Sequence, residues 1–496
     1  MPMKVLLINP PQNFYPGSDL PSGNLPLGLM YIAAVLEKKG HTVEILDAFI
    51  NEPSFWKTGD ALYIGMPYKR LKEEIQQRKP DIVGVANPFT SQVENAIKVC
   101  NIVKQVNPNI LTIVGGPHVS AAPEEFLEES KNTDIVVIGE GEYTMLEIAD
   151  CREKHTPLTR IHGIAYREKD VAVRTSPRPL IKNLDELPFP AYHLVDMAKY
   201  LNPETIEYRS FKDRSISMIT SRGCPFNCCF CSVNLHMGKS FRAHSVDYVV
   251  KHIEYVVNNF RVKTIFFEDD NLTLDTKRFE AICEKITEKG IRVKWETPNG
   301  VRVDCLTPSL LKKMKKSGCQ SVFFGVESGD QQILDKVIEK NLKLKDVVKA
   351  AKACKEIGLK TGAFYIIGFP GETKENMLRT VDFALWLEKE YGVGIHMFVA
   401  TPSIGTRLYE ECIRKGYIKK DLSSRAFAEA RQTGGLPLIE TEDFTAVEVK
   451  NIATNAVNRH RRVNLINHLK NPRKTLEIAM SQPKIVAKFV KSLTQT

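Results

Sequence analysis

The chain has 496 residues, with 69 Lys and Arg against 59 Asp and Glu, a formal net charge of +10. That length exceeds one ordinary hydrophobic core, so two or three domains are expected. Hydrophobic residues at 43% and charged residues at 26% exclude a disordered or fibrous chain. No apolar run reaches the roughly 18 residues of a membrane span. The excess charge is local: between Arg459 and Thr494 nine Lys or Arg face one acid, Glu477. Met1 to Pro10 carries no signal-peptide pattern and reads as a first strand. Eleven cysteines, three of them at ligand spacing, point to a reducing cytoplasm rather than to disulfides.

In residues 1–150, short β-branched runs at Val5–Asn9, Thr42–Asp47, Asp81–Ala86, Ile110–Val114 and Asp134–Ile138 alternate with helical spacing. The helical stretches are Leu27–Lys39, Tyr68–Arg78, Ser91–Val106 and Pro123–Glu129. Such alternation predicts a parallel, Rossmann-like α/β sheet with helices on both faces. Ligands of such sheets bind at the carboxyl ends of the strands. Those ends carry Asn9-Pro10-Pro11, Asp47-Ala48, Asn87-Pro88-Phe89-Thr90, Gly115-Gly116-Pro117-His118 and Gly139-Glu140-Gly141-Glu142. Glycine there lets backbone approach a large ligand closely. The first turn is Pro-rich and lacks G-x-G-x-x-G, which argues against a nicotinamide site.

Residues 151–209 read as a linker. Gly163–Tyr166 and Val171–Arg174 suggest two strands around a turn at Glu168-Lys169-Asp170, and Pro188 and Pro190 interrupt regular structure. Residues 210–410 then repeat a strand–helix unit. Strands are expected at Ser215–Thr220, Thr264–Glu268, Val293–Glu296, Ser321–Val326, Gly362–Ile367 and Ile395–Ala400. Helices are expected at Ser245–Asn259, Thr276–Lys289, Pro308–Lys316, Lys345–Ile357 and Lys374–Glu390. This describes a partial barrel, open on one side, with its chemistry at the C-terminal strand ends.

The first of those ends is Cys224-x3-Cys228-x2-Cys231. Thiolates at that spacing can hold three irons of one iron–sulfur cluster. The fourth iron is then open, as the metal is in a catalytic zinc site. A structural zinc knuckle would need a fourth ligand at matching distance; His236 and His244 lie downstream. The second strand ends in Glu268-Asp269-Asp270-Asn271, three acids that repel one another unless a cation joins them.

Residues 411–496 read as a helical cap. A polar stretch at 420–442 containing Gly434-Gly435 could border a substrate, a helix is expected over Thr445–Arg462, and a basic tail follows. In the tail Ile478, Met480, Ile485, Val486, Phe489 and Val490 alternate with lysines. Such a segment either lies on an anionic membrane or caps the barrel with its lysines in water. No aromatic-studded basic groove for nucleic acid is evident.

The cysteine loop, with aromatic Phe230 before its last cysteine, resembles the C-x3-C-x-aromatic-C signature of the radical SAM superfamily. Residues 1–150 resemble the cobalamin-binding domain found in front of many radical SAM enzymes. That likeness rests on Asn9-Pro10-Pro11, Pro26 to Ala33, Gly40-His41-Thr42-Val43, Gly115 to His118 and Gly139 to Glu142. The Leu187-Pro188-Phe189-Pro190-Ala191 run resembles the segment preceding the cluster motif in the same proteins. The resemblance implies a 4Fe–4S cluster on Cys224, Cys228 and Cys231, with S-adenosylmethionine (SAM) on the open iron and its reductive cleavage to a 5'-deoxyadenosyl radical. Cys229 is left outside the ligand set. It further implies that Glu268 and Asp269 receive the methionine amino group and Arg302 its carboxylate. Glu327 and Ser328 would meet the ribose, with Phe230, Gly368 and Pro402 completing the SAM site. Cobalamin would meet Pro10, Asn87, Phe89, Gly115, Gly116, Gly139 and Gly141. The D-x-H-x-x-G motif of classical cobalamin domains is absent. Cobalt's lower face is therefore expected to be covered by Asn87 to Thr90, with Phe89 able to shield the metal but not to ligate it.

The implied activity is methylation of an unactivated carbon in a small-molecule or lipid substrate, with electrons from a donor such as ferredoxin or flavodoxin. The alternative is radical oxidative cyclisation, as in the anaerobic Mg-protoporphyrin IX monomethyl ester cyclase family. A non-catalytic cluster or cobalamin carrier would leave the SAM-type strand ends unexplained. A methylthiotransferase would need an N-terminal three-cysteine domain that Cys100 and Cys151 cannot supply. The expected location is cytoplasmic, with peripheral membrane contact through the tail as the further option and nucleic acid not expected as a partner.

Overall fold

The computed structural model describes residues 2–15, 23–202, 213–418, 422–430 and 436–469. The N-terminal sheet runs Val171–Arg174, Ile164–Glu168, Ile135–Val137, Leu111–Gly115, Ile82–Ala86, Lys4–Asn9, Thr42–Asp47. The strands expected between residues 1 and 150 are all present and mutually parallel. Val5, Leu6, Leu7 and Ile8 are all buried, as befits a strand covered by helices on both faces.

The hairpin Ile164–Glu168 and Val171–Arg174 joins this sheet antiparallel, beside Ile135–Val137. Lys169 and Asp170 turn it with positive φ, the twist that a two-residue hairpin loop requires. The sheet therefore continues past residue 150 into the stretch read as linker. A second addition has no counterpart in the expected elements. Gln12–Phe14, Ala61–Gly65 and Ser54–Thr58 form a small antiparallel sheet, held by Trp56 stacked on Tyr63 at 5.2 Å.

Residues 215–399 supply six parallel strands in sequential order: Ser215–Met218, Thr264–Phe267, Lys294–Val301, Cys319–Glu327, Lys360–Ile367 and Val393–Val399. The first and last strands do not pair, so the barrel is open between them. The third strand is longer than expected. Pro298, Asn299 and Gly300, beyond the strand expected at Val293–Glu296, are absorbed within it by a bulge between Thr297 and Val301. Four of the intervening helices start on side-chain caps. Ser245, Asp275, Thr307 and Thr373 each accept a backbone N–H of the first turn, satisfying donors that a helix leaves orphaned. Helix Val246–Phe260 buries Val249, Val250, Ile253 and Val256, an i, i+3, i+4 stripe facing the sheet. A single turn of π-helix at Leu334–Ile338 follows the fourth strand and ends on Glu339 with φ +57°.

Helix Ala446–Leu469 packs on Lys374–Tyr391 and on the last strand. The basic tail beyond Leu469 and Gly434-Gly435 lie outside the described residues. Among the described residues no helix is long and apolar enough to cross a membrane.

Trp295 anchors the barrel core. It meets Phe267 and Phe279 edge to face at 5.5 and 5.6 Å, and its Nε1 donates to the Ser317 carbonyl. Trp295→Ala is expected to cost about 3–5 kcal/mol. Denaturant unfolding followed by circular dichroism checks this; a loss below about 1 kcal/mol would contradict this account of the core.

Candidate cofactor cavity and cysteine loop

The cysteine loop is built from its root. Asp269, at the end of the second barrel strand, accepts from Thr220 N and Thr220 Oγ1 at 3.1 and 2.8 Å, and from Ser221 Oγ. Asp270 accepts from Gly223 N at 3.0 Å, and Glu268 from Ser217 Oγ at 3.1 Å. The three neighbouring acids are thus divided among three positions on the first strand and the loop it feeds. Burial raises the pKa of Asp269 and of Asp270, their donors pulling it back. Gly223 has φ +81°, and a Cβ there would sit 2.4 Å from the Ser240 carbonyl oxygen, so only glycine fits. Ser221–Arg222 pairs with Arg242–Ala243, which ties the two ends of the loop together.

Cys224, Cys228 and Cys231 are half-buried free thiols. Cys224 N donates to Gly238 O at 3.3 Å, Cys231 N to Cys228 O at 3.1 Å, and Asn271 Nδ2 to Cys224 Sγ at 3.6 Å. Burial pushes the Cys228 thiol up and that of Cys231 to about 11, and the neighbouring Cys224 adds to both. The three sulfurs therefore share one electrostatic site. Among the described residues no three His, Cys, Asp or Glu side chains converge on a single metal ion. Thiols set apart on one loop suit a polynuclear cluster, in which each thiolate takes its own iron. Cys229 is buried. Its N–H donates to Ile338 O and its carbonyl accepts from Leu408 N, so it pins the loop to the barrel wall, and burial takes its thiol to about 12.

The remaining strand ends gather around the loop. Glu327 (φ +72°) forms a buried ion pair with Lys340 at 2.8 Å. Burial pulls Lys340 down, but Glu327 outweighs it and leaves the ammonium above its ordinary value. Arg302 is held by Asp304 and by the carbonyls of Lys340 and Asn341, with its guanidinium 3.7 Å from the Phe226 ring centroid. Cys228 feels Lys340, Glu327 and Arg302 together. Ser328 is buried against Thr380 at 3.0 Å. Phe230 and Phe369 lie 5.9 Å apart. Gly368 N donates to Glu372 at 2.7 Å, and Pro402 is buried at the end of the last strand. Lys340 escapes sequence reading because it sits among lysines that point to water; the π-turn before it swings it inward.

A cavity of about 600 Å³ opens between the C-terminal ends of the N-terminal sheet and the root of the cysteine loop. Asn87, Phe89, Gly115, Gly116, Gly139 and Gly141 all line it, whereas Pro10 does not. A Cβ on Gly116 (φ +139°) would lie 2.3 Å from the Asn87 carbonyl oxygen, and one on Gly141 3.0 Å from Ile32. A buried polar atom on the wall, Asn87 Oδ1, has no partner. Such an atom is costly unless a ligand meets it. The glycine cradle, the unpartnered amide oxygen and the volume fit a large ligand rich in amides, as the corrin of cobalamin is. Phe89, 45% exposed, stands on the rim. Gln12 to Phe14, Leu25 to Leu29, and barrel residues Arg222, His236, Met237 and His244 also line it; the barrel residues were not expected there, because their approach depends on how the two domains meet. His41 is remote, its Nδ1 accepting from Met3 N.

Four buried charges make that meeting. Arg222 donates to Glu140 at 2.8 Å and to Glu142 at 2.6 Å, and Arg242 donates to Glu140 at 2.7 Å. Arg222 also lies 5.4 Å from the Tyr31 ring centroid. Arg242 reaches the carbonyls of Ile181 and Met237, and Ile181 N donates to Glu140. Residues 139–142, which follow the strand Ile135–Val137, residue 181 of the connecting segment and residue 222 beside the cysteines are thereby fixed to one another.

Comparison with known proteins agrees with this geometry. Residues 218–384 match the Radical SAM superfamily and residues 21–149 the B12 binding domain. The "Uncharacterized methyltransferase PH0819" of Pyrococcus horikoshii is 36% identical over 83% of this chain and 83% of its own length. The cytidylyl-2-hydroxyethylphosphonate methyltransferase of Streptomyces wedmorensis is 32% identical over 85% of this chain and 83% of its own. The anaerobic magnesium-protoporphyrin IX monomethyl ester cyclase of Rubrivivax gelatinosus is 29% identical over 77% of this chain and 65% of its own. Among solved structures, the radical SAM methyltransferase TsrM of Kitasatospora setae, with cobalamin and a 4Fe–4S cluster bound, superposes with a TM-score of 0.65. It is 19% identical and is matched over 85% of this chain and 76% of its own. The cobalamin-dependent radical enzyme OxsB, with aqua-cobalamin and SAM bound, gives 0.63 at 20% identity, over 93% of this chain and 61% of its own. The chain belongs to the radical SAM superfamily, in the branch that carries a B12-binding domain and includes these methyltransferases. It is a cobalamin-dependent radical SAM enzyme.

Arg222→Met leaves Glu140 and Glu142 facing Arg242 alone and is expected to cost roughly 3–5 kcal/mol. Amide hydrogen exchange should show protection falling at 139–142 and 221–224 together; a loss at 221–224 alone would mean the domains are not coupled through these charges. Glu372 is buried, with Oε1 unpartnered and Oε2 accepting from Gly368 N and Phe369 N. Burial pushes its carboxyl from 4.5 up to about 8, the two N–H donors pulling the other way. Its folded value exceeds its unfolded one, so its contribution to stability is complete below pH 4.5 and declines as pH rises to about 8. Glu372→Gln keeps the acceptor and removes the titration. The unfolding midpoint of this variant, relative to the parent, should rise between pH 5 and 8; a pH-independent difference would refute the assignment.

Proposed function

We propose that the enzyme methylates an unactivated carbon of a small-molecule substrate. The observation that carries this reading is the shared wall: the root of the three-cysteine loop, through Arg222, lines the same cavity as the glycines of the B12-binding domain. When bound, the cluster and SAM supply a carbon-radical generator and cobalamin a transferable methyl group.

The chain's part is to bind, orient and exclude water. Cys224, Cys228 and Cys231 ligate the cluster, with Asn271 Nδ2 beside Cys224. Glu268 and the Glu327–Lys340 pair receive the polar groups of SAM, Ser328 braces the ribose side, and Phe230, Gly368 and Pro402 form the adenine side. Asp269 acts one step back, by fixing Thr220 and Ser221. Arg302, already held by Asp304 and two carbonyls, supports the SAM carboxylate mainly through its charge. In the cavity, Gly115, Gly116, Gly139 and Gly141 admit the corrin, while Asn87 and Phe89 lie against it. Pro10 acts only by shaping the turn between Asn9 and Gln12. On this reading residues 1–150 hold cobalamin, 151–209 add the edge strands at 164–174 to the same sheet and then link, 210–410 hold the cluster and SAM, and 411–496 supply the cap. A reducing protein such as ferredoxin or flavodoxin supplies the electron, the enzyme works in the cytoplasm, and the basic tail offers peripheral membrane contact if the substrate is a lipid. Radical oxidative cyclisation is the second reading, favoured by the likeness to the Rubrivivax cyclase.

Anaerobic reconstitution with iron and sulfide, with and without cobalamin, tests the proposal. About four irons per chain, SAM cleavage and a cobalt absorption spectrum are expected, and Cys224→Ala, Cys228→Ala and Cys231→Ala should each abolish SAM cleavage. Variants that keep the cluster and cleave SAM would overturn the ligand assignment. A methyl label carried from SAM into product distinguishes methylation from cyclisation.

A further inference from the structure

The large cavity has a small neighbour. Pro88, Phe89, Ser91 and Pro117 line both, so these residues form the partition between them. The second chamber holds about 190 Å³, is partly open, and is lined by residues of both domains. Thr90, His118 and Ala121 come from the N-terminal domain. Ser232, the residue after Cys231, comes from the cysteine loop. Thr401, Ser403 and Ile404 come from the end of the last barrel strand, and Phe427 from the C-terminal segment.

The chemistry of this wall is uniform. Among the described residues that line it, none is Asp, Glu, Lys or Arg. Its polar groups are hydroxyls and one imidazole. His118 Nδ1 is 3.1 Å from Thr90 Oγ1, and burial lowers the imidazole to about 4, so it is neutral near pH 7. Ser91 is buried, and its Oγ has no partner. A phosphate or carboxylate entering here would lose its hydration and find no counter-charge, a penalty that hydroxyls alone do not offset. A hydroxyl or amide would instead satisfy Ser91 and reach the imidazole. The volume is below the roughly 300 Å³ at which pockets begin to enclose whole ligands, so the chamber suits one end of a molecule.

We propose that this chamber anchors an uncharged end of the substrate, a hydrocarbon fragment bearing a hydroxyl or amide, and excludes any phosphate, phosphonate or carboxylate the substrate carries. The inference rests on the proposed function only in taking the occupant to be the substrate. A fragment seated here lies between Ser232 of the cysteine loop and Phe89 of the cobalamin-type wall, which leaves the remainder of the molecule to extend along the domain boundary.

The test uses the reconstituted holoenzyme and three probes of similar shape: benzyl alcohol, benzamide and benzoate. Binding is read by saturation-transfer NMR, and iron content, cobalamin absorbance and SAM cleavage are recorded on the same samples. The two neutral probes should bind at least tenfold more tightly than benzoate. Ser403→Phe, which fills the chamber, should abolish their binding while iron and cobalamin are retained. Ser91→Ala, a smaller change, should weaken them severalfold. Equal binding of benzoate, absence of binding by either neutral probe, or undiminished binding to both variants would overturn the proposal. So would loss of cobalamin from Ser403→Phe, which would assign the chamber to the cofactor. Failure of SAM cleavage in the parent protein with probe binding intact would instead count against the functional reading.

Discussion

The boundary beside the cysteine loop depends on the placement of two buried arginines and two buried glutamates. Arg222 and Arg242 stand on neighbouring short strands and meet Glu140 and Glu142 at 2.6 to 2.8 Å. Removing such groups from water costs several kcal/mol each, and only close, geometrically satisfied pairing offsets that cost. The consequence is mutual: neither domain presents a tolerable surface here without the other. Because Ile181 joins the same network through its N–H and carbonyl, the connecting segment cannot drift either. The spacing between the glycine cradle and the cysteine loop is therefore fixed by short ion pairs in addition to the apolar core that the two domains share.

The two α/β units solve a common problem in a common way. Each directs the carboxyl ends of its parallel strands towards the boundary, and each uses carboxylates there to brace loops before any ligand arrives. Asp47 accepts from Asn9, Phe49 N and Ile50 N, and is joined by the Tyr200 hydroxyl. Asp269 does the corresponding work for Thr220 and Ser221. Burial opposes the charge on both, so their hydrogen-bond donors are what keep these loops in place. This economy explains why adjacent acids such as Glu268, Asp269 and Asp270 need not all face a cationic ligand: two are engaged by the loop itself.

What the sequence reveals follows the range of the interactions involved. The barrel strands and their helices are visible because periodicity and caps are local, and the cysteine spacing is visible because one loop carries all three ligands. The strand through Pro298-Asn299-Gly300 is hidden, since its bulge is imposed by the neighbouring strand. The hairpin Ser54–Gly65 is local, turned at Gly59-Asp60, and only its third strand, Gln12–Phe14, is distant in the chain. Lys340 looks like any surface lysine until the π-turn and Glu327 are seen together. The glycines of the cavity are legible as strand-end residues, but the arginines that close it are not: pairing across eighty or more positions leaves no pattern in either segment alone. Pro10 illustrates the converse error, a motif residue at a strand end whose neighbours, not itself, reach the wall.

The pairing of Ser221–Arg222 with Arg242–Ala243 has a consequence for assembly. The ligand loop at residues 223–241 is an excursion from a closed stem, so the entropy of bringing its ends together is already spent when the barrel has formed. Loading a cluster then asks only for rearrangement within the excursion, and losing one need not propagate into the strands. The stem separates the chemistry of metal insertion from the folding of the scaffold that will use it.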